Sequence, residues 1–261
     1  MMTAHNAKRG LRYFLIEPAL DYLAAIDAMR NRGAIGLAKA FIALVVTWFI
    51  YVPIHELLHA AGCILAGGSV TRLEIAPEYG GTLLAKVFPF VVSGSNYAGQ
   101  LTGFDTRGSD LVYLATVLMP FVLTVTIGVP LLKFAGHSGG AERRANPWLI
   151  GASVIVAYAP FVSLIGDYYE AGSIIVSRLA QRAGSEVPID RWRSDDLPLL
   201  IGRLHAAGSG ADVSATDWIG VGTGALLAIV LALFTYRMGA IVARVACAVA
   251  GPSQSKSESK S

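Results

Sequence analysis

The sequence predicts an all-α polytopic membrane protein, with about four transmembrane helices and a small β-hairpin inserted after the first of them. Two observations predict this class. Of the 261 residues, 54% are hydrophobic and only 15% are charged, whereas soluble domains carry about 25% charged residues. Four apolar stretches also reach the length of about 20 residues that a helix needs to cross a bilayer. The net charge of +3 comes without a basic stripe, so nucleic acid is not an expected partner.

Residues 1–35 form an amphipathic N-terminal segment. Apolar side chains recur every three or four positions from Leu11 to Ile26, and Glu17 and Asp21 fall between them. This periodicity predicts a helix. Such a helix would lie in the membrane interface or pack against the rest of the protein.

Residues 36–176 are expected to form a core of three membrane-spanning helices. The apolar stretches that predict these helices cover residues 36–66, 111–132 and 147–176. Because successive spans alternate in direction across a bilayer, the first and the third span should run the same way. Polar groups near their C-terminal ends would then lie at a similar depth.

The β-region of this core covers residues 67–110. Residues 70–76 alternate partly between polar and apolar side chains, and residues 82–92 are rich in strand-forming residues. Gly80 and Gly81 stand between the two stretches and are typical of a turn. The sequence therefore predicts a small β-hairpin or sheet here.

Three further segments follow the core. Residues 177–216 form a polar loop with a short helix expected near 195–205. Residues 217–250 contain the fourth apolar stretch and are expected to form the fourth transmembrane helix. Residues 251–261 are rich in serine and lysine, which predicts a disordered tail.

The most informative motif is His55-Glu56-Leu57-Leu58-His59, inside the first apolar stretch. Two histidines four residues apart lie on one face of a helix and can bind one Zn²⁺, while Glu56 lies beside the metal to move a proton. Residues 40–66 contain no other histidine, acid, lysine or arginine. Burying such groups in hydrocarbon is costly unless they are paired or bind an ion, so the motif predicts a functional site.

A catalytic zinc ion needs a third protein ligand and an open position for water. Asp167 and Glu170 are the other acids well inside an expected span, and they lie three residues apart on one helix face. Asp167 is favoured because it follows Pro160 and Gly166, a local irregularity that can direct a short side chain inwards. Glu170 is the alternative ligand or an outer partner of a histidine. Both acids would otherwise mark the point where the third span leaves the membrane.

The motif and the Gly-bounded segment after it, Gly67-Gly68-Ser-Val-Thr-Arg-Leu-Glu-Ile-Ala-Pro, resemble the site-2 protease family of intramembrane zinc metalloproteases. The resemblance covers residues 40–175. It implies that His55, His59 and Asp167 bind zinc and that Glu56 is catalytic. The order Gly166-Asp167 and the pair Met119-Pro120 depart from the usual pattern of the family, which indicates a divergent member.

The expected function is therefore hydrolysis of a membrane-embedded or membrane-anchored protein by zinc-activated water, in a multi-pass protein of the bacterial inner membrane. The expected partners are this protein substrate and the lipid bilayer, and the sequence indicates no oligomeric state. Two alternatives remain, a metal-binding membrane transporter and an inactive protease-like protein that binds a partner. The ionisable groups gather on two spans at one depth, and Glu56 is intact, which favours hydrolysis over both.

Overall fold

The computed structural model describes residues 4–30, 32–137, 146–207 and 214–250. Within these ranges the chain forms nine α-helices and one sheet of three strands. The helices are α1 Ala4–Arg30, α2 Gly33–Leu65, α3 Gly81–Leu84, α4 Asp110–Leu118, α5 Val129–His137, α6 Pro147–Val162, α7 Asp167–Arg182, α8 Leu197–Ala207 and α9 Ala215–Ala250. The strands are β1 Ser69–Ile75, β2 Val91–Ser93 and β3 Gly99–Asp105. The tail expected over 251–261 lies outside the described residues.

Four helical stretches are long and apolar enough to cross a membrane, as the sequence predicted. They are Gly33–Leu65, Asp110–Ala135, Pro147–Arg182 and Ala215–Val249. The most apolar 18-residue window of each is at most 44% buried inside the molecule. These helices therefore leave most of their apolar surface facing outwards, which is unusual for a protein in water. The short helix expected in the polar loop is also confirmed, as α8.

The described chain divides into two compact units. The first unit contains Met1–Thr47, Leu123–Tyr158 and Leu233–Ser261. The second unit contains Trp48–Val122 and Ala159–Ala232. The motif residues and both candidate acids belong to the second unit.

Small residues allow close helix packing in the first unit. A Cβ atom at Gly151 of α6 would lie 2.0 Å from the carbonyl oxygen of Ala40 in α2. A Cβ atom at Gly128 would lie 2.6 Å from the backbone of Ala157. Glycine at these two positions lets the backbones approach directly, as is common between membrane helices.

A buried ionic cluster joins α1 to the rest of the first unit. The Nζ atom of Lys133 lies 3.0 Å from Oε1 of Glu17 and 2.6 Å from Oδ2 of Asp21. Arg237 donates to the other oxygen of Glu17, and the Tyr236 hydroxyl donates to Asp21. Burial alone raises the pKa of Glu17, but the hydrogen bonds from Lys133 and Arg237 outweigh burial and hold the pKa below its ordinary value.

The β-region of the second unit is a small three-stranded sheet, so of the two expected forms the sheet is the one present. The strand order is β2-β1-β3, with β2 parallel and β3 antiparallel to β1. The strand predicted over 82–92 is wrong except for its end, because Gly80 adopts a left-handed conformation and its carbonyl accepts the first hydrogen bonds of α3. Parallel strands also need a long crossover, and residues 76–90 form it.

The sheet packs on the second half of α2. Leu73 and Ile75 of β1 are fully buried and form a core cluster with Val91 of β2 and Ala60 of α2. Alternate residues of β1 point to this cluster, which is the pattern of a strand with one covered face. The packing holds the sheet beside the helix that carries the histidine motif.

We expect Glu17→Gln to destabilise the protein by about 3 kcal/mol, because it leaves buried cations with fewer carboxylate partners. Since the pKa of Glu17 is lowered by folding, its stabilisation is present above the ordinary carboxyl pKa of about 4.3 and is lost as the pH falls through the lower folded value. Unfolding of both proteins in detergent, measured from pH 7 downwards, should show a difference that shrinks in acid.

The matched control is Asp27→Asn, which breaks an exposed pair with Arg30 on the same helix. Exposed pairs contribute roughly 0–1 kcal/mol. Equal losses in both variants would contradict a stabilising role for the buried cluster.

Candidate metal centre

Helix α2 places His55 and His59 on one face, as their spacing requires. Both side chains are buried, and their rings meet edge to face. The two Nε2 atoms are 3.1 Å apart. The imidazoles therefore present the same nitrogen to one common point.

The opposite nitrogen of each ring is hydrogen-bonded. His59 Nδ1 lies 2.9 Å from the carbonyl oxygen of Thr116. Because a carbonyl oxygen only accepts, Nδ1 of His59 carries the proton, and in the neutral ring Nε2 keeps a lone pair. His55 Nδ1 lies 2.8 Å from the hydroxyl of Tyr51. Outer contacts of this kind orient histidines that bind metals.

Asp167 reaches the same point from the third apolar stretch. Its Oδ2 atom lies 3.3 Å from Nε2 of His55, and its Oδ1 atom lies 3.6 Å from Nε2 of His59. The stretch is broken between α6, which ends at Val162, and α7, which begins at Asp167. This break is the irregularity that the sequence indicated after Pro160, and it puts Asp167 in the first turn of the new helix.

His55, His59 and Asp167 form a group that could hold a metal ion. One ligand atom from each residue can be chosen so that all three lie within 4.8 Å of one another. All three belong to the second unit. The structure thus brings together the residues that the sequence proposed, while their role as ligands stays a prediction.

Glu170, the alternative ligand, is engaged elsewhere. Its Oε1 atom accepts a hydrogen bond of 2.5 Å from the hydroxyl of Tyr113 on α4. Asp167 and Glu170 lie three residues apart in one turn of α7, but only the Asp167 carboxylate contacts the two imidazoles, whereas the Glu170 carboxylate is bonded to Tyr113. The geometry favours Asp167 as the third ligand and leaves Glu170 beside the group.

A cavity of about 460 Å³ opens next to these residues. Glu56, His59 and Asp167 contribute to its wall, together with residues of β3 and of the loop before α8. The first residue of β3, Gly99, lies directly against Glu56, since a Cβ atom there would be 2.4 Å from Cγ of Glu56. The strand therefore limits the positions that the Glu56 side chain can take.

Sequence reasoning did not identify Tyr51, Thr116, Tyr113 or Gly99. Tyr51 had a usable signal, because it lies four residues before His55 on the same helix and so shares its face. The others had none. A backbone carbonyl and a close glycine contact depend on how α4 and β3 pack against α2, which no local pattern states.

The chain matches no protein-family model, no curated protein and no solved structure.

We expect one bound metal ion per purified chain, and we expect His55→Ala, His59→Ala and Asp167→Asn to lose it. Each change removes one of three ligands, so the affinity should fall by more than the roughly 10–100-fold that follows loss of an outer contact. Elemental analysis after equilibrium dialysis measures this.

Glu170→Gln is the matched control, because it changes an acid in the same turn that is bonded to Tyr113. It should retain the ion. If Glu170→Gln lost the metal and Asp167→Asn kept it, the assignment of the third ligand would be reversed.

Proposed function

We propose that this chain is an intramembrane zinc metalloprotease, a divergent member of the site-2 protease family that cleaves a membrane-embedded or membrane-anchored protein. One observation carries the proposal. The Nε2 atoms of His55 and His59 converge with the carboxylate of Asp167, and Glu56 lines the same cavity. This combination supplies three metal ligands and a carboxylate for proton transfer at one place.

The donor set is compatible with zinc. Ligand atoms about 2.0–2.1 Å from one ion, at tetrahedral angles, lie about 3.3 Å from one another. The two Nε2 atoms are 3.1 Å apart, Oδ2 of Asp167 lies 3.3 Å from Nε2 of His55, and Oδ1 lies 3.6 Å from Nε2 of His59. One ligand atom from each residue lies within 4.8 Å of the others, so the group needs only a small adjustment to surround one ion. Two imidazoles and one carboxylate also match the ligand types of catalytic zinc, which keeps a fourth position open.

The four long apolar helices support a multi-pass protein of a membrane, and we place it in the bacterial inner membrane. Large apolar side chains on α2 face outwards, with Phe41 68% exposed and Ile50 56% exposed. Surface of this kind is stable against lipid and is an aggregation hazard in water. The cavity lined by Glu56 would then provide water to a site that hydrocarbon would otherwise keep dry.

Zinc at this site would supply a bound water of lowered pKa and would polarise the scissile carbonyl. Glu56 takes a proton from the attacking water on its carboxylate and delivers it to the leaving nitrogen. Tyr51 and the Thr116 carbonyl hold the two imidazoles in orientation. Gly99 keeps the Glu56 carboxylate close to the cavity wall.

The state of Glu56 favours hydrolysis over transport or simple binding. Among the described residues, no hydrogen bond or ion pair engages its carboxylate, so it is not a structural anchor. Its side chain borders the cavity instead. A transporter would need ionisable groups along a path, whereas these groups cluster around one point.

The cavity wall also fits a polypeptide as substrate. Strand β3 lies at the edge of the sheet, and Gly99, Gln100 and Leu101 line the cavity. An edge strand has unpaired backbone groups that an extended peptide can bind by β-addition. A transmembrane substrate would have to unwind locally to present such a strand.

We expect Glu56→Gln to abolish proteolysis while zinc binding is kept, because the change removes the proton acceptor and none of the ligands. The rate should fall by about 10²–10⁴-fold. The measurement compares new protein termini in membranes that contain the wild type or Glu56→Gln, with zinc content determined in parallel.

The control is His55→Ala, which should lose both zinc and cleavage. If Glu56→Gln left every cleavage product and cellular effect intact while His55→Ala abolished them, metal binding or transport would replace hydrolysis as the function.

We also expect Gly99→Ala to impair cleavage without loss of zinc. The new methyl group would collide with Cγ and Cδ of Glu56, at 2.4 and 2.8 Å, and displace the carboxylate. A displacement of about 1 Å at a reacting group can cost on the order of 100-fold in rate. Turnover per folded molecule and zinc content are the two measurements.

Gly103→Ala is the matched control in the same strand. Its Cβ atom would collide with Thr71 and Arg72 of β1, at 2.6 and 2.7 Å, and not with Glu56. It should lower stability and leave turnover per folded molecule near the wild-type value. Equal loss of turnover in both variants would argue against a positioning role for Gly99.

A further inference from the structure

A second cavity of about 390 Å³ lies in the first unit, beside the beginnings of α2 and α6. Its wall includes Arg32, Lys39, Asn146 and Trp148, and no acid is among the lining residues that the structure describes. None of these described residues also lines the cavity at the candidate metal centre. Its size falls within the range of about 300–1,000 Å³ typical of sites for small molecules.

We infer that this basic cavity binds the phosphate of an anionic lipid headgroup. The inference rests on the membrane insertion included in the proposed function, and it is independent of proteolysis. Lys39 provides donors and a positive charge of the kind that phosphate requires, and Arg32 adds positive charge to the same wall. Basic pockets between membrane helices bind lipid headgroups by the same chemistry.

The two cations are held at one side of α2. A Cβ atom at Gly36 would lie 2.2 Å from Cβ of Arg32, so the stem of Arg32 packs directly on the first turn of the helix. Lys39 follows one turn later and is exposed. Within the described part of the chain, no carboxylate forms an ion pair with Lys39, so its charge is available to a ligand.

The residues around the cavity indicate that it lies at the depth of the lipid headgroups. The cavity adjoins the first residues of two apolar stretches, Gly33–Leu65 and Pro147–Arg182. Trp148 is 45% exposed there, and tryptophan is enriched where a membrane meets water. The two helices are in direct contact one turn further along, where Gly151 packs on Ala40.

Helix α1 also indicates that the cavity lies at the depth of the lipid headgroups. It ends at Arg30, two residues before Arg32, and leaves large apolar side chains exposed, including Leu15, Ile16 and Leu23. Its acids Glu17 and Asp21 are paired within the first unit. A helix with an uncovered apolar face and a polar face is typical of the membrane interface.

A lipid is the favoured source of the phosphate because the cavity is not purely polar. Ile35, 72% exposed, and Trp148 both contribute to its wall and can contact the glycerol and upper acyl region. A lipid in the surrounding leaflet is also confined close to the site, so its effective concentration exceeds that of an ion in solution.

The test uses the full chain in nanodiscs of phosphatidylcholine with increasing phosphatidylglycerol, and native mass spectrometry counts the retained lipids. The wild type should retain phosphatidylglycerol in preference to phosphatidylcholine. Each neutralised cation should weaken this preference about fivefold, so Lys39→Gln should lose about fivefold and Arg32→Gln with Lys39→Gln about 25-fold. Lys39→Arg should restore the binding, which excludes a folding defect.

The matched control is Arg30→Gln, an exposed cation two residues from Arg32 that does not line the cavity. It should keep the wild-type preference. Equal losses in Arg30→Gln and Lys39→Gln would show general attraction to an anionic surface and overturn the site. Absence of any preference in the wild type would overturn it as well.

Inorganic phosphate is the second probe. An excess should leave the retained phosphatidylglycerol unchanged, whereas efficient displacement would assign the site to a free anion and overturn the lipid. Glu56→Gln should bind lipid as the wild type does, so failure of the protease proposal leaves this result standing. A chain that does not enter nanodiscs at all would refute the membrane insertion on which both rest.

Discussion

Two imidazole nitrogens and a carboxylate meet in the interior of the second unit, and the rest of the site is arranged around this meeting. The Nε2 atoms of His55 and His59 lie 3.1 Å apart, and two ring nitrogens at this distance need a proton or a cation between them. A carboxylate such as Asp167 is equally costly to bury without a positive charge. One divalent ion would satisfy all three groups. The three groups could therefore hold a metal ion together.

Three separate parts of the second unit produce this geometry. The regular turn of α2 sets the distance between His55 and His59. The break between α6 and α7 turns Asp167 towards them, and a carbonyl of α4 orients His59. Strand β3 contributes from a fourth direction, because Gly99 limits the room available to Glu56. The close approach of the β3 backbone at Gly99 therefore restricts where the Glu56 carboxylate can lie.

The buried acids of the first unit and those of the candidate metal centre have different partners. In the first unit, Glu17 and Asp21 are matched by Lys133 and Arg237, so the cluster is a structural connection between helices. At the candidate metal centre, Asp167 lies beside the two histidines, and Glu170 accepts a hydrogen bond from the hydroxyl of Tyr113. A set of polar groups that lacks strong cationic partners, and that borders a cavity, is typical of a functional site.

The sequence by itself determined the features that depend on local periodicity and composition. The four long apolar helices, the placement of His55 and His59 on one face and the break before Asp167 all follow from the spacing of residues along one segment. These features were sufficient to propose the three residues that meet. They could not distinguish fully between Asp167 and Glu170, because both lie in the same turn.

Only the tertiary structure decided which neighbour each group has. In the folded chain, Asp167 contacts the two imidazoles and Glu170 contacts Tyr113. Strand β2 pairs with β1 in parallel after a crossover, and the two strands do not form a hairpin. The tertiary structure also placed Gly99 against Glu56, and it put Lys39 and Trp148 in the wall of one cavity. Contacts of this kind join residues far apart in the chain and depend on how whole elements pack, so no local pattern records them.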